Sequence, residues 1–154
     1  MSGKGKEEQK EISIRNRKAS FEYTLLDHYF AGLMLKGTEI KSIRTGKAAI
    51  NDAFCFFEKD ELWVRGLHIS EYEKASFFTH DPLRNRKLLL NKREVKKITN
   101  SFKEGMAIVP LKLFINDKGW AKLEIALAKG KKVFDKRETI KRRELERTLG
   151  RKIK

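Results

Sequence analysis

Residues 107–127 read AIVPLKLFI, NDKG and WAKLEIAL, two apolar runs separated by the turn residues Asn116 to Gly119. Each run is long enough for a strand, and Asn, Asp and Gly between apolar runs are typical of a tight connection. The pattern therefore predicts an antiparallel hairpin. Pro110 interrupts the first run and cannot donate a ladder hydrogen bond, so we expect it at a sheet edge or at a bulge.

The upstream sequence repeats this strand signal in shorter pieces. Alternating apolar and polar residues, or short apolar runs, predict strands at 21–25, 31–35, 54–57 and 62–64. The last two runs are joined by a charged turn, 58–61, and so predict a second hairpin.

Two short helices are predicted between the strands. Thr38 is a suitable N-cap for a brief helix over 39–44 that Gly46 would end. Asn91 is followed three positions later by Glu94, which is the spacing of a capping box. We expect the helix that begins there to end before Gly105.

Short antiparallel strands with two small helices predict a mainly β protein. A small closed or partly open barrel fits this element content, and the oligonucleotide-binding fold is the best-known example. We therefore expect an oligonucleotide-binding-like antiparallel β-barrel with a basic C-terminal tail. A β-sandwich gives similar sequence patterns and stays open as an alternative.

The charge of the chain is strongly positive and unevenly distributed. The net charge of the 154 residues is +15, and 37% of the residues are charged. Residues 129–154 contain twelve Lys or Arg against four Asp or Glu, which gives this segment +8 of the total. Such a segment has too few apolar residues to form a core and needs an anionic partner, for which RNA is the obvious candidate.

Cysteine content and hydropathy indicate the compartment. Cys55 is the only cysteine and cannot form an internal disulfide, which fits a reducing environment. The sequence has no run of about 18 apolar residues, and residues 1–18 lack the apolar core of a secretory signal. We expect a cytoplasmic protein with no membrane partner.

The sequence has no recognisable catalytic constellation. His28, His68 and His80 are scattered, without the spacing of a zinc site, and there is no Gly-rich phosphate loop. The serines lack a nucleophile-elbow context. We therefore expect no catalytic residue, no metal and no cofactor, and favour an RNA-binding protein that is not an enzyme.

The segment 81–91 carries the strongest signal for RNA within the body of the chain. Arg84, Arg86 and Lys87 follow a Pro turn, where a loop could present guanidinium groups to phosphates. An ordinary solvated loop leading into a helix is the alternative.

A second candidate surface lies on the predicted helix 39–44. Lys41 and Arg44 are three residues apart and share one side of that helix. Glu39 could pair with an Arg, accept from base amines, or simply lie near the positive helix N-terminus.

Four blocks of the sequence, in this order, resemble the SmpB family of small protein B, or SsrA-binding, proteins. The first is Asn16-Arg17-Lys18-Ala19 with Tyr23, and the second is 31–47, AGLMLKGTEIKSIRTGK. The third is 81–91, DPLRNRKLLLN, and the fourth is 125–132, IALAKGKK, followed by Asp135-Lys136-Arg137. The resemblance extends from about Asn16 to the C-terminus, and the ordered set is far more specific than any single block.

The resemblance implies a function in bacterial ribosome rescue, or trans-translation. It implies an oligonucleotide-binding-type barrel that binds the tRNA-like domain of tmRNA and, with EF-Tu and GTP, delivers alanyl-tmRNA to stalled ribosomes. The basic tail would enter the empty decoding centre and mRNA channel, where it meets ribosomal RNA and becomes helical. The nascent chain is then tagged for degradation.

The resemblance also assigns residues to roles. The tmRNA-binding set has three sources. Leu89 and Asn91 match family positions, residues of the helix motif lie on the associated surface, and the basic residues after the Pro turn are added to them. The full set is Glu39, Lys41, Ser42, Arg44, Arg84, Arg86, Lys87, Leu89 and Asn91. The set for the tail and decoding centre contains a hinge-like glycine, basic residues, an aromatic ring and a tagging motif: Gly130, Lys131, Lys132, Phe134, Asp135, Lys136 and Arg137. Phe30 departs from the Glu that is usual in the family.

The expected organisation has three parts. Residues 1–11 are expected to be disordered, 12–128 to form the barrel domain, and 129–154 to be a tail that is disordered when free and helical on the ribosome. We expect a monomer. A general RNA-binding barrel without preference for tmRNA is the competing interpretation, and it predicts binding that ignores RNA identity and collapses with salt.

Overall fold

The structure, a computed structural model, describes residues 12–74, 79–131 and 144–145. Its strands and helices follow in chain order: β1 Ser13–Arg15, α1 Ala19–Glu22, β2 Tyr23–Leu33, α2 Gly37–Arg44, β3 Ala48–Ala49, β4 Phe54–Glu58, β5 Glu61–Arg65, β6 His68–Ile69, β7 Arg86–Leu89, α3 Lys92–Ser101, β8 Met106–Ile115 and β9 Ala121–Gly130. The prediction of a mainly β protein with short helices is confirmed.

The predicted hairpin of residues 107–127 is present as β8 and β9, which pair from Met106↔Lys129 to Ile115↔Ala121. The register shifts between Pro110 and Lys112, which confirms the bulge expected at the proline. Beside the bulge, the Pro110 carbonyl accepts a hydrogen bond from Asn16 Nδ2 at 2.9 Å.

The strand pairings close on themselves. In the main sheet the order is β1-β8-β4-β5-β7-β2-β9, and β8 also pairs with β9. Six strands, β8, β4, β5, β7, β2 and β9, therefore form a continuous cycle of pairings. A two-stranded sheet of β3 and β6 lies apart from this cycle.

The core follows the alternation of the long hairpin. Leu113 on β8 and Leu123 and Ile125 on β9 are fully buried, and Val64 on β5 packs in the same cluster. Ile43 brings α2 onto the core from one side. Burial of such side chains stabilises the fold by about 1.5–3 kcal/mol each relative to exposure.

The region 21–35 differs from the prediction of two strands. Phe21 lies in the short helix α1, and a single strand of 11 residues, β2, follows it with a register shift between Leu25 and His28. The shift falls at Leu26 and Asp27, between the two predicted strands.

The two predicted helices form, but one of them begins earlier than expected. Lys36, not Thr38, is the N-cap of α2, and the Glu39 carboxylate accepts from the Lys36 amide at 2.7 Å. Gly46 ends this region with φ +75°, a conformation that favours glycine. The capping box at Asn91 is confirmed, with Glu94 N donating to Asn91 Oδ1 at 2.8 Å.

Among the described residues, no helix is long and apolar enough to cross a membrane.

Candidate nucleic-acid interface

A buried ion cluster joins α2 to the first residue of β7 and to the segment before it. The Glu39 carboxylate accepts from Arg84 Nη2 at 2.6 Å through Oε1 and from Arg86 Nε through Oε2. Arg86 Nη1 donates to the Leu67 carbonyl at 2.6 Å, and its Nη2 donates to the carbonyls of Asp81 and Pro82 at 3.3 and 3.2 Å. One guanidinium thus fixes the turn 81–82 against the helix.

Burial and hydrogen bonding have opposite effects on this carboxylate. Burial raises the pKa of Glu39, but hydrogen bonds from Arg84, from the Lys36 amide and from Arg86 outweigh it, so the pKa lies below its ordinary value. Burial lowers the pKa of Arg86, and its bond to Glu39 opposes that effect. The carboxylate is therefore ionised at neutral pH and neutralises a buried cation.

His80 anchors the same segment from a second point. The ring is 2% exposed, its Nε2 donates to the Ile69 carbonyl at 2.9 Å, and the Thr38 hydroxyl donates to Nδ1 at 2.9 Å. In the sequence Thr38 has the pattern of a helix cap, but its hydroxyl holds this imidazole instead.

Three members of the predicted tmRNA-binding set are inside the protein. Glu39, Ser42 and Arg86 are at most 1% exposed. The prediction that Arg86 presents its guanidinium to phosphates from a loop is wrong, because the residue begins strand β7 and its donors are engaged by Glu39 and by carbonyls. Of the interpretations left open for Glu39, two are observed: the carboxylate pairs with arginine, and it lies in the first turn of α2, where it accepts from the Lys36 amide.

The remaining members of the set lie at the surface or partly at the surface. Lys41 and Arg44 are exposed on α2, as their spacing predicts, and Lys41 Nζ lies 5.5 Å from the centre of the Tyr72 ring. Arg84 retains 29% side-chain exposure beside Glu39. Lys87 forms an ion pair with Glu61 on the neighbouring strand β5.

Leu89 and Asn91 lie at the end of β7, where the chain enters α3. Leu89 is 46% exposed, and a Cβ added to Gly32 on β2 would lie 3.3 Å from the Leu89 Cβ. The glycine therefore lets the leucine sit close against β2. Asn91 is exposed, and its Oδ1 is committed to the helix cap.

At its C-terminal end the described main chain stays in the sheet beyond the predicted domain boundary at 128. Gly130 pairs with Tyr23, and Lys131 N donates to the Glu22 carbonyl at 3.0 Å. A Cβ at Gly130 would meet nothing within 4 Å, so local space does not require glycine there. The other predicted tail residues, Lys132, Phe134, Asp135, Lys136 and Arg137, lie outside the described residues, as do the predicted disordered segment 1–11 and most of 129–154.

Phe30, the residue that departs from the family pattern, lies on the outer face of β2. It is 58% exposed, and its ring meets Phe114 edge to face at 6.0 Å between centres. Lys112 Nζ lies 5.2 Å from the centre of the Phe114 ring. The exposed Phe30 ring thus lies against the partly buried Phe114, with a cation beside the pair.

Trp120 is a surface feature that the sequence reading did not single out. The pattern places it at the start of the strand returning from the turn, and in the structure it is 66% exposed just before β9. The signal that could have revealed it is an aromatic residue between the cations Lys118 and Lys122, next to a turn.

These features define the class of the molecule. It is a small, strongly basic, mainly β protein whose exposed cations and aromatic rings are suited to a polyanionic partner. The family model for SmpB protein matches residues 13–154, so the chain belongs to the SmpB family.

Relatives and a solved structure agree with that assignment. The SsrA-binding protein of Cytophaga hutchinsonii is 55% identical over 147 residues, which cover 95% of this chain and 96% of the relative. That of Bacteroides thetaiotaomicron is 53% identical, covering 95% and 98%. A chain in the structure named "tmRNA-SmpB: a journey to the center of the bacterial ribosome" is 43% identical and superposes with a TM-score of 0.67, covering 79% of this chain and 86% of that one.

Proposed function

We propose that this protein binds the tRNA-like domain of tmRNA and acts in trans-translation at stalled bacterial ribosomes. The observation that carries the proposal is family membership across residues 13–154, which includes the basic tail as well as the folded body. The net charge of +15 supports it, because contacts with phosphates supply much of the affinity for RNA.

We propose that the fold is an oligonucleotide-binding-like barrel, which suits binding to RNA. The cycle of six paired strands supports this proposal, since a small barrel leaves its outer face free for nucleic acid while its interior is filled by side chains. Residues 12–128 form the barrel domain in this proposal, and its last strand continues to Gly130.

Within the tmRNA-binding set, burial separates two roles. Exposed Lys41, Arg44, Leu89 and Asn91 contact the RNA, with the partly exposed Arg84 and Lys87 beside them. Buried Glu39, Ser42 and Arg86 instead hold the surface in shape. The division follows from geometry, because a fully buried side chain cannot reach a phosphate without unfolding its surroundings.

The tail, residues 129–154, acts at a different place from the body. We propose that it is disordered when the protein is free and becomes helical in the empty decoding centre and mRNA channel, where Asp135, Lys136 and Arg137 permit tagging. Its composition supports ordering on binding: Leu145, Leu149 and Ile153 recur every four residues, and one such narrow apolar seam does not stabilise an isolated helix. Residues 1–11 are a disordered N-terminal segment in this proposal.

The proposal also covers partners and location. The protein acts in the cytoplasm as a monomer and without catalysis, and it reaches the ribosome on alanyl-tmRNA together with EF-Tu and GTP. It requires no metal or cofactor in this proposal, because it positions tmRNA against ribosomal RNA through non-covalent contacts alone.

Selectivity for tmRNA tests the proposed function. We expect the full chain to bind the tRNA-like domain of tmRNA at least about tenfold more tightly than an elongator tRNA at moderate salt, a difference of about 1.4 kcal/mol. Competition gel shifts over a salt series measure both the preference and its salt dependence. Equal affinities that fall together with salt would support the general RNA-binding barrel instead.

A further inference from the structure

Trp120 presents an unusually large apolar surface to solvent. It is 66% exposed, whereas the other tryptophan, Trp63, is partly buried on β5. The flat face of an exposed tryptophan ring suits stacking.

The main chain of Trp120 is fixed although its side chain is exposed. Asn116 N donates to the Trp120 carbonyl at 2.9 Å, and Trp120 N donates to Asn116 Oδ1 at 2.9 Å. The turn between them is tightened by Gly119, which has φ +83°. A ring carried on a fixed backbone loses little conformational freedom when a ligand binds to it.

A cleft of about 330 Å³ opens on one side of Trp120. Its apolar lining comes from Leu33 on β2, Leu35 just after β2 and Ile40 on α2, together with Trp120. Its charged lining comes from Arg44 on α2 and Lys118 in the turn. A second, more open depression with Lys122 and Asn116 lies against the same tryptophan. The ring thus borders two depressions.

The charges around the cleft are mostly positive. Arg44 Nη2 would lie 3.7 Å from a Cβ on Gly119, so its guanidinium reaches the turn that carries Trp120. Lys118 and Lys122 flank the tryptophan in sequence, and Asp117 is the acidic residue among the lining side chains. Apolar walls with cations at the rim match a nucleobase and its phosphate, not a protein strand or a lipid chain.

We propose that this cleft binds one unpaired base of the RNA, stacked on the Trp120 indole, with the adjoining phosphate held by Arg44 and Lys118. The inference rests on the proposed function and adds to it a site for a base that has left its stack. Any base can stack on an indole ring, so the cleft contributes affinity for an unstacked nucleotide but no preference for its sequence.

Binding by Trp120 variants of the full chain tests the cleft. Trp120→Ala should weaken binding to the tRNA-like domain of tmRNA about 5- to 150-fold, and Trp120→Phe should restore most of that loss because it keeps a stacking face. The matched control is Phe54→Ala, which removes a 45% exposed ring with Arg65 6.0 Å from its centre, outside the cleft. The control should stay within about twofold.

Fluorescence gives a readout that altered folding alone does not produce. In a Trp63→Phe background the emission comes from Trp120 alone, and Trp63 Nε1 has no hydrogen-bond partner among the described residues, so that substitution loses no bond. Adding the transcribed tRNA-like domain should quench this emission and protect it from acrylamide.

Unchanged Trp120 emission, together with unchanged RNA affinity of the Trp120→Ala variant, would overturn the cleft proposal while leaving selective tmRNA binding intact. Loss of the preference over elongator tRNA would overturn the proposed function instead, and quenching by either RNA would then still support a stacking cleft.

Discussion

Replacing Asp135, Lys136 and Arg137 together by Ala should abolish tagging of nascent chains and leave tmRNA binding nearly intact. The body carries the RNA contacts in our account, while this motif acts later, in the decoding centre. The triple substitution removes one negative and two positive charges, so the net charge falls only from +15 to +14. Affinity for the tRNA-like domain is measured by gel shift, and tagging by mass change of the nascent chain on a message without a stop codon.

Lys154→Ala is the control for this charge change, because it lowers the net charge by the same amount at the end of the tail. It should retain tagging. A triple variant whose binding falls as steeply as its tagging would show that body and tail do not divide the work as proposed.

Glu39→Gln should destabilise the domain by about 3–5 kcal/mol at pH 7. The substitution keeps the shape of the side chain but leaves the fully buried Arg86 without its countercharge, and loss of one partner of a buried pair has a cost of this size. Since whole domains are stable by only about 5–15 kcal/mol, urea unfolding followed by tryptophan fluorescence will resolve the change.

The pH dependence gives this prediction a second, independent readout. The pKa of Glu39 is lowered in the folded protein, so its stabilisation is complete above the ordinary value of about 4.3 and is lost as pH falls through the lowered value. The difference in unfolding free energy between wild type and Glu39→Gln should therefore become smaller as pH falls through that range.

Glu61→Gln is the matched control, because Glu61 pairs with Lys87 at the surface, with side chains 42% and 30% exposed. It should cost at most about 1 kcal/mol. If Glu39→Gln were as mild as Glu61→Gln, the buried cluster would not be holding this surface together.

The elements that the sequence predicts well are those determined by residues close together along the chain. The turn at 116–119 joins two apolar runs, and the Asn91 capping box depends on residues three apart, so neighbours along the chain determine both. Pro110 lacks an amide hydrogen wherever it lies, which is why the bulge could be expected from a single residue.

The features that the sequence does not predict depend on contacts between distant residues. Arg86 reads as one more cation in a basic loop, and only its meeting with Glu39, 47 positions away, makes it a buried structural residue. Thr38 similarly meets His80, 42 positions away. The exposure of Trp120 depends on where the turn places its ring, which the alternation of apolar and polar residues does not encode.

Restoration of tagging in a depleted translation system tests the role of this protein in trans-translation. In a bacterial translation system depleted of its own SmpB but supplied with alanyl-tmRNA, EF-Tu and GTP, ribosomes stalled on a message without a stop codon should remain untagged. Adding this protein should restore the tagged product and release the ribosomes, whereas the Asp135, Lys136 and Arg137 triple-Ala variant should not. Ribosomes that stay stalled and untagged with the wild-type chain, under conditions where it binds the tRNA-like domain, would contradict its role in trans-translation.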